Sequence, residues 1–125
     1  MSNYEDILDL CPGSWTVAED RIAEHLDWLG DIDLAEPDWS FDLLRIYRRK
    51  SDGVYLWATD SGCSCPSPFE DIPIKEFAEA NSAAALLSAV DETLRTYGES
   101  AYGGAVSYVD LRSQVRKVLK GEVAA

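Results

Sequence analysis

Between Trp39 and Thr59 the sequence alternates in a way that leaves few folds open. In the run from Trp39 to Lys50, residues Trp39, Phe41, Leu43, Arg45 and Tyr47 fall on one side of an extended chain, and Asp42, Leu44, Ile46 and Arg48 on the other. Ser51-Asp52-Gly53 then reads as a hairpin turn, with Asp-Gly supplying positive φ angles, and Val54 to Thr59 returns as a second strand. Large apolar groups on both sides require the hairpin to be central and covered, at least in part, on each face. The expected fold class is therefore α+β: a small antiparallel β-meander centred on a 39–59 hairpin, with an N-terminal helix and two C-terminal helices packed against it.

The covering elements have their own signatures. Asn81 or Ser82 caps a helix in which Ala83, Leu86 or Leu87, Val90, Leu94 and Tyr97 form one apolar stripe. Asp91 and Arg95 pair at i,i+4 on it, and Gly98 closes it. Ser107-Tyr108-Val109-Asp110 opens a last helix with Leu111, Val115, Val118 and Leu119 inward. Arg112, Arg116, Lys117 and Lys120 sit toward its C-terminal end, where cations suit the helix dipole. At the start, Ser2-Asn3-Tyr4-Glu5 reads as a capping box for a short helix carrying Tyr4, Ile7, Leu8 and Cys11, stopped by Pro12-Gly13.

Residues 16–29 are ambiguous. Ala18, Ile22, Leu26 and Leu29 lie on a helical stripe ending at Gly30, whereas Trp15 and Val17 alternate with polar neighbours as a strand would. Asp31 to Asp38 reads as an acidic connection broken by Pro37. Ile72-Pro73-Ile74 is extended but kept out of a central strand by Pro73, and Lys75 to Ala80 reads as a short turn.

A chain of 125 residues is expected to form one domain with an ordinary core. No run approaches the roughly 18 apolar residues of a membrane span, the polar start is unlike a signal peptide, and three cysteines fit a reducing compartment. A soluble, cytoplasmic protein is the expectation. Its net charge of −12 is unevenly spread: residues 1–44 hold 12 acidic side chains against the single base Arg21. Such a field repels nucleic acid and anionic membranes and attracts basic protein surfaces. The plain reading is a solvated face that keeps the protein soluble; the sharper one is a surface that docks on a basic groove. Mimicry of nucleic acid is a third, needing carboxylates spaced like phosphates.

The segment from Asp60 to Asp71 packs Gly62, Cys63, Cys65, Pro66 and Pro68 into one tightly shaped loop. Gly62 lets the chain leave the strand at an angle, and each proline fixes its own φ and extends the residue before it. Phe69 is then expected to reach back as an apolar anchor. Cys63 and Cys65 project to one side of an extended loop and could chelate a soft metal, but a structural zinc site needs about four ligands. Only Cys11 and His25 are on offer elsewhere, so neither metal nor cofactor is expected and the thiols read as structural. Acidic neighbours (Asp60, Glu70, Asp71) also work against a reactive thiolate. The alternative is a metal- or thiol-dependent protein centred on Cys63 and Cys65. His25 reads as solvent-facing rather than a general base, and Glu19/Asp20 and Asp31/Asp33 as solvated carboxylates. Among the aromatic residues, Trp28, Trp39 and Tyr102 are the candidates for exposed interface anchors.

Three stretches carry a resemblance. Phe41 to Arg48, Asp52-Gly53, and above all the run Ala58-Thr59-Asp60-Ser61-Gly62-Cys63-Ser64-Cys65-Pro66-Ser67-Pro68-Phe69-Glu70-Asp71 resemble a family of small uncharacterised proteins from phages of actinobacteria. The opening helix followed by Cys11-Pro12-Gly13-Ser14-Trp15-Thr16 is similar to the start of those proteins. The resemblance implies a phage-encoded protein working inside a bacterial host, and a strand from about Trp15 to Arg21. It assigns no catalytic or binding residue.

Together these features set the expectation of a non-enzymatic accessory protein that acts by protein–protein contact through an acidic and aromatic surface, against a host or defence factor. The partner expected is a host protein with a basic surface, not nucleic acid or a membrane. The candidate residues are Asp60, Cys63, Cys65, Pro66, Pro68, Phe69, Trp28 and Trp39.

Overall fold

The computed structural model describes residues 3–13, 16–35, 40–63, 68–98 and 107–120. The elements run α1 (Thr16–Ala23), β1 (Leu26–Asp33), β2 (Ser40–Arg49), β3 (Tyr55–Cys63), β4 (Ala78–Ala80), α2 (Ala83–Gly98) and α3 (Tyr108–Leu119), with 3-10 turns at Tyr4–Ile7 and Ile74–Glu76. The strands form one antiparallel sheet in the order β1-β2-β3-β4, so the architecture is an α+β meander. None of the helices is long and apolar enough, over the described residues, to cross a membrane.

The expected hairpin is present, with Tyr47 opposite Leu56 and Arg48 opposite Tyr55. Its turn differs in kind from the expected one. Only Gly53 has a positive φ, 76°, and the loop closes through Gly53 N–H donating to the Arg49 carbonyl at 2.8 Å. Asp52 works through its carboxylate instead, accepting from the Val54 N–H at 3.2 Å and holding the Arg49 guanidinium at 2.8 Å.

Alternation along β2 and β3 produces two cores. On one face Leu44 and Ile46 meet Ile32, then Leu86, Val90 and Leu94 of α2 and Leu111, Val115 and Val118 of α3. On the other, Tyr47, Leu56 and Ala58 meet Ile7, Ile22 and Leu26 together with Phe69, Ile74 and Phe77. The stripes anticipated on α2 and α3 are the ones buried, and Ser82 and Ser107 accept from the N–H groups of Ala85 and Asp110 as caps.

Three expectations need correction. The strand from Trp15 to Arg21 is instead helix: α1 buries Ala18 and, one turn later, Ile22, which joins the second core, while Trp15 lies outside the described residues. The acidic connection after Gly30 is strand as far as Asp33, with Ile32 in the first core. Lys75 to Ala80 holds a 3-10 turn and the short strand β4, which pairs Tyr55 with Ala80 and Trp57 with Ala78. The opening helix is also shorter than its pattern. It is capped at Asn3, whose N–H donates to the Asp6 carboxylate at 2.9 Å; Ser2 lies outside the described residues. It stops at Ile7 because the Leu8 and Leu10 carbonyls accept from the N–H groups of Lys75 and Ile74, both at 2.9 Å, which outcompetes further helical bonding. Cys11 therefore lies beyond that turn, half-buried, and not at the end of a helix.

Phe69 locks the second core. It is fully buried and is the one described residue other than glycine with a positive φ, 63°. An aromatic residue held there stores about 1–2 kcal/mol of strain, so its surroundings must hold it. The Phe69 N–H donates to the Asp60 carboxylate of β3 at 2.7 Å, and its carbonyl accepts from the Gly13 N–H at 3.0 Å. The ring rests 5.9 Å from that of Phe77. The chain passes so close to Gly13 that a Cβ there would stand 2.0 Å from the Pro68 carbonyl oxygen.

On the opposite face Asp91 ties α2 to α3. Its carboxylate accepts from the Tyr108 hydroxyl and from the Arg95 guanidinium at 2.8 Å, with Arg112 3.7 Å away. The Tyr108 hydrogen bond, then Arg95, hold Asp91 below the usual carboxylate range. A carboxylate depressed on folding contributes stability that is complete above its unfolded value near 3.9 and is lost as pH falls through the lower folded value. Acid titration should therefore release the α2–α3 junction below about pH 4. Wild type and Asp91→Asn should have melting temperatures that converge as pH drops, and a gap that stays constant from neutral to acid pH would contradict this. Phe69→Ala should lower stability by about 3–5 kcal/mol. Gly13→Ala should cost about 1–3 kcal/mol by overpacking against the Pro68 carbonyl. Both are read from denaturant midpoints.

Candidate functional site

The site is built on the irregular start of β1. From Leu26 to Trp28 the strand pairs with Arg49, Arg48 and Tyr47 of β2, after which the register shifts and Gly30 pairs with Ile46. Leu29 is the extra residue of this bulge. One added residue brings Trp28 and Asp31, three apart, onto the same face, where the Trp28 indole N–H donates to the Asp31 carboxylate at 3.1 Å. That face is the one occupied by Arg45, which stands directly opposite Asp31 on β2.

Arg45 is the buried charged residue of the described structure, 6% exposed. Its guanidinium meets Asp31 through two parallel bonds of 2.8 and 2.9 Å, the forked geometry that gives arginine–carboxylate pairs their strength and direction. A further N–H donates to the Tyr47 hydroxyl at 3.3 Å. The cation lies over the Trp28 ring at 4.0 Å from its centroid and over the Phe69 ring at 4.6 Å. Burial, the largest single influence, would pull Arg45 toward the neutral form, but the hydrogen bonds and charges of Asp31 and Tyr47 together outweigh it and the guanidinium stays charged. Burial pushes the Tyr47 phenol up against the opposing pull of Arg45, so it stays protonated.

Trp28 is presented outward by this arrangement. It is 54% exposed although its ring is fixed on one side by Arg45 and at its nitrogen by Asp31. Beside it opens a cleft of about 220 Å³, with Ile22, Ala23, Leu26 and Tyr47 along its walls and Glu19 and Asp20 of α1 at its acidic part. The arrangement offers an immobilised aromatic surface beside carboxylates that form no ion pair among the described residues. It suits a cationic, partly apolar partner group.

The candidate residues divide around this site. Trp28 and Phe69 come together across Arg45, and Asp60 holds Phe69 by its backbone, with Pro68 next to it. Cys63 ends β3 opposite Ser40; its side chain, together with Trp39, Cys65, Pro66 and Tyr102, lies outside the described residues. His25 is half-buried, its ring edge-on to Tyr4 at 6.1 Å, and not simply solvent-facing. Burial, then Asp71 and Glu76, push the Cys11 thiol up. Among the described residues no three His, Cys, Asp or Glu side chains gather as a metal would require. Arg45 and Asp31 were not among the candidates. The signal for Arg45 was a cation placed in the apolar series Phe41, Leu43, Tyr47; Asp31, expected as a solvated carboxylate, is instead the partner of that buried cation.

No curated protein and no solved structure matches the chain. A family model described as Domain of unknown function (DUF7574) matches residues 16–125, from α1 through α3 to the last residue, so the meander, the first core and the Trp28–Arg45 site fall within the matched span, as does the second core apart from Ile7 of the opening turn, and the chain belongs to that family.

Proposed function

We propose that this chain is a non-enzymatic accessory protein that binds a basic protein surface through the face centred on Trp28. The resemblance to actinobacterial phage proteins supports the further reading of a phage product acting in the host cytoplasm, with a host or defence factor as its target. The observation that carries the reading is the exposed Trp28 ring held rigid on the Arg45–Asp31 pair beside Glu19 and Asp20. Fixed aromatic residues are the side chains that most often dominate binding energy, because little conformational freedom is lost when the partner arrives. The acidic surroundings steer cationic groups toward it.

The test is capture from bacterial lysate with immobilised wild-type protein and variants, at about 0.05 M and about 0.5 M salt. Wild type should retain a basic protein at low salt and release much of it at high salt. Trp28→Ala and the pair Glu19→Lys, Asp20→Lys should each lose it. Trp28→Ala should remain folded, costing about 1 kcal/mol through the lost cation–π contact. Equal capture by wild type and both variants, or none by any, would overturn the reading. Asp31→Ala provides a structural counterpart. It strands the buried Arg45 cation and should cost about 2–3 kcal/mol, below the full value for a deeply buried pair because the Asp31 side chain is 23% exposed. Its loss of capture should accompany a lower melting temperature, unlike that of Trp28→Ala.

A further inference from the structure

Two large apolar side chains are prominently exposed in the described structure: Trp28, 54%, and Val109, 71%. They lie on opposite sides of the sheet. Trp28 belongs to the face of Arg45, Tyr47 and Phe69, whereas Val109 is on α3, whose Leu111, Val115 and Val118 are buried on the face of Leu44 and Ile46. Their electrostatic surroundings are opposite. Trp28 neighbours Glu19 and Asp20, in a stretch of sequence that also carries Glu24 and Asp27. Val109 lines a groove of about 350 Å³ with Arg112, Arg116, Lys117 and Lys120. Those cations recur at the three- and four-residue spacing of one helical face, turned away from the buried stripe of α3. Arg116, Lys117 and Lys120 form no ion pair among the described residues.

We propose that this chain associates head to tail with further copies of itself, the basic groove of α3 on one copy receiving the Trp28 face of the next. It uses the same Trp28 surface as the reading above but goes beyond it, by naming the chain itself as a partner and α3 as the complementary surface. Charge complementarity selects that occupant. A groove of this size takes an aromatic side chain, and cations around it suit an indole ring flanked by carboxylates. A nucleic-acid backbone would meet the repulsion of a −12 chain and would leave Val109 without an apolar counterpart. Because the two surfaces differ and lie on opposite sides of the sheet, neither is satisfied by an isologous dimer, and each addition leaves one of each kind exposed.

Salt enters in two ways. Whole-molecule repulsion between chains of charge −12 is largely screened at about 0.15 M, where the Debye length is about 8 Å, while charges in contact still attract. At about 1 M the length falls to about 3 Å and the contact attraction fades too.

Sedimentation velocity over a concentration series is the experiment. At about 0.15 M salt wild type should show a weight-average mass that rises with concentration past that of a dimer, and at about 1 M it should return to the mass of one chain. Two variants reverse one face each: E19K with D20K, and R116E with K117E. All four positions are exposed, so circular dichroism melts should stay close to wild type. Each variant alone should be monomeric, and an equimolar mixture should regain association because opposite faces again meet. Wild type that is monomeric throughout, variants that still associate alone, or a mixture that does not recover would each overturn the proposal. So would monomeric wild type that binds a labelled single-stranded oligonucleotide and loses it in R116E with K117E, which would give the groove to nucleic acid. The R116E, K117E variant keeps the Trp28 face, so its capture of a basic lysate protein is read separately from self-association.

Discussion

A sheet that is apolar on both faces has to be covered twice, and the rest of the molecule is arranged to do it. Leu44 and Ile46 point one way from β2, Leu43 and Tyr47 the other. The two C-terminal helices supply one cover in a single step, because each brings a continuous stripe. The other cover is assembled from pieces that are individually too short to be stable: one 3-10 turn at the start, the two-turn helix α1, a second 3-10 turn, and the Phe69 side chain. These pieces hold one another by backbone hydrogen bonds, Leu8 and Leu10 to Lys75 and Ile74, and Gly13 to Phe69. The first face is a helix-on-sheet layer in the ordinary sense, and the second is a set of mutually dependent fragments.

Arg45 sits where that second cover meets the sheet. Burying an ion pair is weak support for stability on its own terms, since the desolvation of two charges is only partly offset by their attraction. What the Arg45–Asp31 pair contributes is direction. Its fork fixes the orientation of the guanidinium, the guanidinium underlies Trp28, and the bulge at Leu29 lets the indole nitrogen reach the same carboxylate. An exposed tryptophan on a surface strand would normally sample several rotamers; here one charged group in the core removes that freedom.

How far the fold could be read from the residues followed the length of each periodic run. The β2–β3 hairpin and the stripes of α2 and α3 each extend over several repeats, and they stand where the pattern places them. β4 has three residues, too few for any period to show. Residues 16–29 misled in both directions for a definite reason. Residues three apart on a strand face opposite ways, so Leu26 and Leu29 have the spacing of a helical stripe although they serve opposite faces of the sheet. Trp28, Phe69 and Asp60 were identifiable as candidates by residue type and setting. The grouping of Trp28 and Phe69 around Arg45 was not, because it depends on the register that places Asp31 opposite Arg45, and nothing local to either residue encodes that register.

The same bulge bears on colloidal behaviour. β1 forms one edge of the described sheet, and an eight-residue edge is long enough to template a strand from another molecule. Its regular run is interrupted after Trp28, and Asp27, Asp31 and Asp33 are exposed along it. A second strand laid alongside would lose register at Leu29 and bring like charges together. The opposite edge, β4, is only three residues long. Backbone pairing between molecules, the route to amyloid-like growth, is thereby discouraged at both ends of the sheet, leaving side-chain surfaces as the favoured means of contact with other molecules.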